Sequence, residues 1–132
     1  MSEIDQILEE TKTIAVVGLS GNTMRPSYGV SEYMQRAGYR IIPVNPKEET
    51  ILGEKCFPTL EAIPDPVDCV DVFRQPDAVP EIVESAIRVG AKSVWLQEGV
   101  AHPEAEARAR EAGLKVASDV CILKEHRRWS RR

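Results

Sequence analysis

The sequence predicts an α/β fold: a Rossmann-like, doubly wound sheet of about five mainly parallel strands with helices on both faces. Two observations predict it. Five short, β-branched apolar runs, at 13–17, 39–44, 68–73, 93–96 and 115–117, begin about 22 to 29 residues apart, close to one strand–helix–strand repeat. The runs are mostly continuous in apolar character, as parallel strands covered on both faces require.

The segments around them carry helix grammar. Ser2 precedes Ile4, Ile7 and Leu8, with Asp5 at the capping-box position, so a short leading helix is expected. After the first strand, Val30, Met34 and Ala37 share a face and Gly38 supplies the stop. The clearest helix begins near Pro76: Val79, Ile82, Val83, Ala86 and Ile87 follow the helical period, and Gly90 ends it. Pro103 opens the next, which spaces Glu104 with Arg108 and Glu106 with Arg110 for surface ion pairs before Gly113 closes it. Between the second and third strands, Pro46, Pro58, Pro64 and Pro66 leave room only for a short helix around residues 59–63. Beyond the fifth strand, Ser118 and Asp119 are placed to cap a helix beginning at Val120.

The 132 residues, 42% of them apolar, suffice for one core, and residues 1–132 are expected to form a single domain. Net charge is −4, but residues 124–132 hold five basic groups and one acid, leaving an acidic body. That balance excludes a broad nucleic-acid surface, which needs a continuous basic face. No stretch approaches the roughly 20 apolar residues of a membrane span. The N-terminus lacks the basic-then-apolar start of a signal peptide. The odd set Cys56, Cys69 and Cys121 contains no C-x-x-C pair and makes neither a disulfide framework nor a zinc site. A cytoplasmic protein is expected.

Sheets of this kind bind ligands beyond the carboxyl ends of their strands. After the first strand comes Gly18-Leu-Ser-Gly-Asn-Thr-Met-Arg-Pro-Ser-Tyr-Gly29. Its glycines let the backbone turn and offer N–H groups to a phosphate, and Ser20, Arg25 and Ser27 are further donors. The spacing is neither G-x-G-x-x-G nor a P-loop, and a plain strand-to-helix turn is the competing reading. An NAD site places an acid at the second strand end, but here that strand runs into Asn45-Pro46-Lys47. The lysine suits an additional ribose phosphate, as on NADP or coenzyme A. Glu48 and Glu49 fall past the proline, where solvent is an equally good environment.

Gly18-Leu-Ser20, Arg25-Pro-Ser-Tyr28, Val44-Asn-Pro-Lys47, Ile51-Leu-Gly-Glu-Lys-Cys56, Val70-Asp-Val-Phe-Arg74, Trp95-Leu-Gln97 and Lys124-Glu-His126 together resemble the stand-alone CoA-binding proteins. These are similar to the CoA-binding domain of succinyl-CoA ligase α-subunits. The resemblance covers nearly the whole chain and implies a Rossmann-type fold binding coenzyme A or an acyl-CoA, with a biochemical role mostly undefined. The ligase's phosphorylated histidine belongs to a second domain that this chain does not contain. Glu98, between Gln97 and Gly99, departs from the family pattern and would repel a phosphate. By position, the resemblance implies that Gly18, Ser20, Arg25, Ser27 and Tyr28 hold the pyrophosphate and the start of the pantetheine arm. Asn45, Pro46 and Lys47 would surround the adenine ribose and its phosphate. Phe73, Arg74 and Gln75 would flank the adenine or ribose, with Phe73 equally a core residue. Gln97 and Gly99 would line the path of the arm.

No catalytic constellation emerges. His102, just before Pro103, reads first as a helix-start residue, and His126 as part of a solvated terminal helix. Asp68 and Asp71, three apart on a strand, point to opposite faces. Cys121 reads as a buried structural cysteine, or as a first-turn thiol able to form a mixed disulfide with CoA. The basic tail reads as a solvated helix end rather than an RNA platform, some of its cations helping to hold an anion. The expected function is therefore non-covalent CoA binding without chemistry. The competing readings are an NADP-linked oxidoreductase, for which His102 and Tyr28 are the available proton donors, and a CoA-responsive regulatory module. Neither a protein partner nor the acyl group can be read from the sequence.

Overall fold

Ser2 Oγ accepts the Asp5 N–H at 3.1 Å and opens helix α1 (Glu3–Glu10), as the capping pattern predicts. The computed structural model describes residues 1–131 of the chain. After α1 come β1 (Thr13–Val17), α2 (Pro26–Arg36), β2 (Arg40–Val44), β3 (Thr50–Ile51), β4 (Glu54–Lys55) and β5 (Cys69–Val72). Then follow α3 (Val79–Arg88), β6 (Ser93–Leu96), α4 (Pro103–Glu111), β7 (Lys115–Ala117) and α5 (Ile122–Ser130). The order in the main sheet is β2-β1-β5-β6-β7, every neighbouring pair parallel. This is the expected α/β Rossmann-like architecture, each of its five strands within a residue of its predicted range.

Strand alternation divides the core. Ala15, Val17, Val70, Val72, Val94, Leu96 and Val116 pack with the buried faces of α3 and α4. Ile14, Val16, Cys69, Trp95 and Ala117 pack with Ile7 and Leu8 of α1, Met34 of α2 and Ile122 of α5. Helices thus cover both faces, which is why the strands read as continuous apolar runs. No helix among the described residues is long and apolar enough to cross a membrane.

Several expectations are corrected. Besides the expected short helix, a 3-10 turn at Leu60–Ala62, the proline-rich connection contains the antiparallel hairpin β3–β4. Its two-residue turn places Leu52 and Gly53 at φ 55° and 75°, and Gln35 Nε2 of α2 donates to the Leu52 carbonyl at 3.1 Å. On α4, Arg108 and Arg110 bypass the intrahelical partners that spacing suggested. Arg108 bonds Glu84 of α3 at 2.9 Å and Arg110 bonds Glu3 of α1 at 2.7 Å, while Glu106 accepts the His102 N–H. The final helix starts at Ile122 rather than Val120, and the Asp119 carboxylate accepts the Gly99 N–H at 2.7 Å instead of capping it.

The α5 helix is a solvated end on one face only: Lys124, Arg127, Arg128 and Ser130 are exposed, as expected, while Ile122 and His126 are buried. His126 is buried among Tyr33, Tyr39 and Trp129, and shares a 2.8 Å hydrogen bond with the Tyr33 hydroxyl. Desolvation lowers the histidine's pKa, favouring the neutral ring. Arg128 bonds the buried Asp5 at 3.0 Å, Lys124 bonds Glu98 at 3.1 Å and Arg127 lies over the Tyr33 ring, so these exposed cations have partners within the chain. The last residue of the predicted basic tail, Arg132, lies outside the described residues.

Candidate functional site

The chain leaves β1 for one edge of the sheet and β5 for the other, so their carboxyl ends diverge at a topological switch point. Gly18 allows that divergence to be tight. It has φ +90°, and a Cβ there would lie 2.3 Å from the Phe73 carbonyl oxygen. Above the two strand ends opens a cleft of about 640 Å³. The connection after β1 contributes Gly18, Ser20 and Arg25, the first turn of α2 contributes Ser27, and the connection after β5 contributes Phe73, Arg74 and Gln75. Gln97, Glu98 and Val100 follow β6, and Cys121 follows β7.

Charge gives the cleft its sign. Arg25 and Arg74 are exposed on its walls, and among the described residues neither engages a carboxylate. The one carboxylate in the lining, Glu98, is held by Lys124. That pairing offsets the repulsion Glu98 would otherwise exert on a phosphate. Two guanidiniums facing one concavity suit a bidentate anion such as a pyrophosphate.

The glycine loop is knitted together from within. Ser20 N–H donates to Ser27 Oγ at 3.1 Å, and Asn22 N–H donates to Ser20 Oγ at 3.1 Å. Gly21 N–H donates to the Glu48 carboxylate at 2.8 Å. Asn45 Nδ2 donates to the Leu19 carbonyl at 3.0 Å, so the Asn45-Pro46-Lys47 connection lies against the outer side of this loop. Asn45 Oδ1 in turn accepts the Lys47 N–H at 2.8 Å. Lys47 is exposed, and neither it nor Asn45 nor Pro46 lines the cleft.

Tyr28 and Gly99 also stand outside the lining. Tyr28 packs partly buried against the core beneath α2, and Gly99, at φ +82°, is fixed by Asp119. Phe73 both lines the cleft and packs on that core, combining its two sequence readings. Gln97 is buried, with both ends of its amide committed. Nε2 donates to Asp71 Oδ1 at 2.5 Å and Oε1 accepts the Ile122 N–H at 3.4 Å, linking the cleft floor to the start of α5.

His102 Nδ1 accepts the Ala105 N–H at 3.2 Å and is spent as a helix cap, as its place before Pro103 suggests. Asp68 sits at the opposite end of β5, where burial would raise its pKa. The Lys12 and Thr13 amides and the Lys92 ammonium outweigh that and hold it low. Sequence reasoning set Asp71 apart from Asp68 without placing it beneath the cleft, and left Glu48 open to solvent without its bond to Gly21. An acid in an apolar strand is a signal for the former, whereas nothing in the spacing marks Glu48.

The sequence pattern of the CoA binding domain family matches residues 12–127. The uncharacterised protein YneT of Bacillus subtilis is 42% identical over 95% of this chain and 93% of its own. The ADP-forming acetate–CoA ligase II of Archaeoglobus fulgidus is 31% identical over 79% of this chain, which spans only 17% of that enzyme. Among solved structures, a hypothetical protein from Pyrococcus horikoshii superposes with a TM-score of 0.94 at 41% identity, covering 98% of this chain and 93% of that one. A Thermus thermophilus protein superposes with a TM-score of 0.91 at 37% identity, over 98% of this chain and 99% of that one.

Proposed function

The chain belongs to the CoA binding domain family, and on that premise we propose that it binds coenzyme A or an acyl-CoA non-covalently, as a single domain with no chemistry of its own. The observation that carries this reading is the pair of guanidiniums, Arg25 and Arg74, free of carboxylate partners among the described residues and facing one cleft at the switch point. Burying an unpaired cation would be costly, but a solvated one beside a concavity is available to an anion.

In this reading Arg25 and Arg74 clamp the pyrophosphate, assisted by Gly18, Ser20 and Ser27, with Tyr28 supporting the start of the pantetheine arm from beneath. Phe73 and Gln75 flank the adenosine. Lys47, held beside the glycine loop through Asn45 and Pro46, meets the ribose phosphate outside the cleft. Gln97 and Gly99 border the path of the arm toward Cys121. The use of His102 as a helix cap supports a binding role over an acid–base one.

Isothermal titration with CoA, dephospho-CoA and NADP tests the assignment. CoA is expected to bind tightest. Arg25→Ala or Arg74→Ala should weaken CoA and dephospho-CoA alike, by about tenfold each. Lys47→Ala should weaken CoA more than dephospho-CoA. Preference for NADP would replace the ligand, and equal affinity for CoA and dephospho-CoA would remove the role of Lys47.

A further inference from the structure

Glu48 does more than follow the second strand. Its carboxylate reaches back over the glycine loop, where Oε2 accepts the Gly21 N–H at 2.8 Å and the Asn45 Nδ2–H at 3.3 Å. In this arrangement the carboxylate occupies the space a side chain at residue 21 would need. A Cβ there would lie 2.2 Å from Glu48 Oε1. Gly21 is not among the glycines with positive φ, so what its missing side chain provides here is room for the carboxylate rather than a special backbone conformation. A bare N–H approached by an oxyanion with no side chain between them is the contact a phosphate makes with such a loop. In this protein a tethered anion already makes it.

The location matters as much as the contact. Arg25 and Ser20 stand on the cleft side of the glycine loop, and the Asn45–Lys47 connection lies on its outer side. Glu48 closes the seam between them. A ligand whose pyrophosphate meets Arg25 and whose ribose phosphate meets Lys47 must cross that seam. It would then carry its negative charge past a carboxylate already seated on the Gly21 amide.

We propose that Glu48 is an internal competitor for the anion position of the glycine loop, displaced when a phosphate-bearing ligand binds across the seam. The proposal rests on the reading of the cleft as a CoA site and adds its control. Binding exchanges one oxyanion for another on the same N–H, so affinity is set by the difference between them. Ligands with several phosphoryl groups displace the carboxylate most readily, whereas a neutral or singly charged ligand does not. The lysine and the glutamate, one residue apart, thus act in opposite senses on the same ligand.

Glu48→Gln tests this because the carboxamide keeps the size and an acceptor oxygen but loses the charge. CoA and inorganic pyrophosphate are titrated into the wild-type chain and the variant at one fixed salt concentration, while the Gly21 amide is followed by 15N–1H correlation. The variant is expected to bind both about tenfold more tightly, and the Gly21 amide to shift on binding. Binding by the variant alone would equally support competition. If both proteins bind CoA and the variant binds equally well or more weakly, the competitor is overturned while the CoA reading stands, weaker binding making Glu48 a ligand contact. If neither binds CoA nor pyrophosphate, both readings fall.

Discussion

Asp71 lies on the central strand β5 with its carboxyl wholly buried, and burial pushes its pKa from the ordinary 3.8 up to about 7. The bond from Gln97 and the Val72 amide counteract only part of that cost. Between about pH 4 and pH 7 the folded protein therefore retains a proton that the unfolded chain has released. Over that interval stability falls as pH rises, and it levels off above pH 7. Asp71→Asn keeps an acceptor for Gln97 Nε2 and removes the titration. Urea melts from pH 4 to pH 8 should show the wild type losing a few kcal/mol relative to the variant across this interval. Parallel curves would mean that Asp71 does not titrate there. Alternation along the strand correctly separates Asp71 from Asp68, but cannot say which face is dry. For the same reason His102 was legible and His126 was not. A cap needs only local spacing, whereas burial of His126 depends on Tyr33 and Tyr39 arriving from distant parts of the chain.

Trp95, in the middle of β6, shows how an element is fixed by one polar atom. Its ring is fully buried, and Nε1 donates to the Val120 carbonyl at 2.9 Å, pinning the connection from β7 into α5. Trp95→Phe leaves that carbonyl without its donor and removes part of the core volume. A loss of about 2–4 kcal/mol is expected in denaturant unfolding, with increased exchange of the α5 amides. A cost below about 1 kcal/mol would show that the connection is held by other contacts. The same connection marks where sequence patterning fails for elements. Ser118 and Asp119 satisfy the grammar of a helix start, yet Asp119 adopts φ +59° and turns its carboxylate onto Gly99. The β3–β4 hairpin is hidden likewise, because Leu52-Gly53 replaces the Asn-Gly type of signal that marks such turns. The main strands and the helices α1 to α4 were legible because apolar periodicity specifies them and Ser2, Gly or Pro marks their ends. The ion pairs of α4 were not, because tertiary neighbours outcompete intrahelical partners.

Across the whole molecule, parallel winding delivers the carboxyl end of each of the five main-sheet strands to one rim, so residues far apart in sequence share a cleft. Cys121 meets Gly18 and Arg74 there only because β7 and β1 run in the same direction within one sheet. The position of this rim follows from strand order, so the cleft was legible from the five apolar runs even where individual contacts, such as that of Glu48, were not. The rim also offers an independent measure of occupancy. Cys56 and Cys69 are buried, whereas Cys121 is only partly so and lines the cleft. Burial and the Glu48 charge raise the Cys56 pKa, and burial raises that of Cys69, with Asp71 adding to it, so both thiols resist becoming nucleophiles. Iodoacetamide should therefore modify Cys121 first, as one added carbamidomethyl group by intact mass, and Cys121→Ala should abolish that fast event. Saturating CoA should slow it at least about tenfold if the arm runs past Gln97, since a ligand excludes reagent from the surface it covers. Dephospho-CoA at saturation should protect equally if the phosphate it lacks is the one proposed to meet Lys47, on the far side of the glycine loop. Protection by neither ligand, at concentrations that titration shows to be saturating, would place the bound arm outside this cleft.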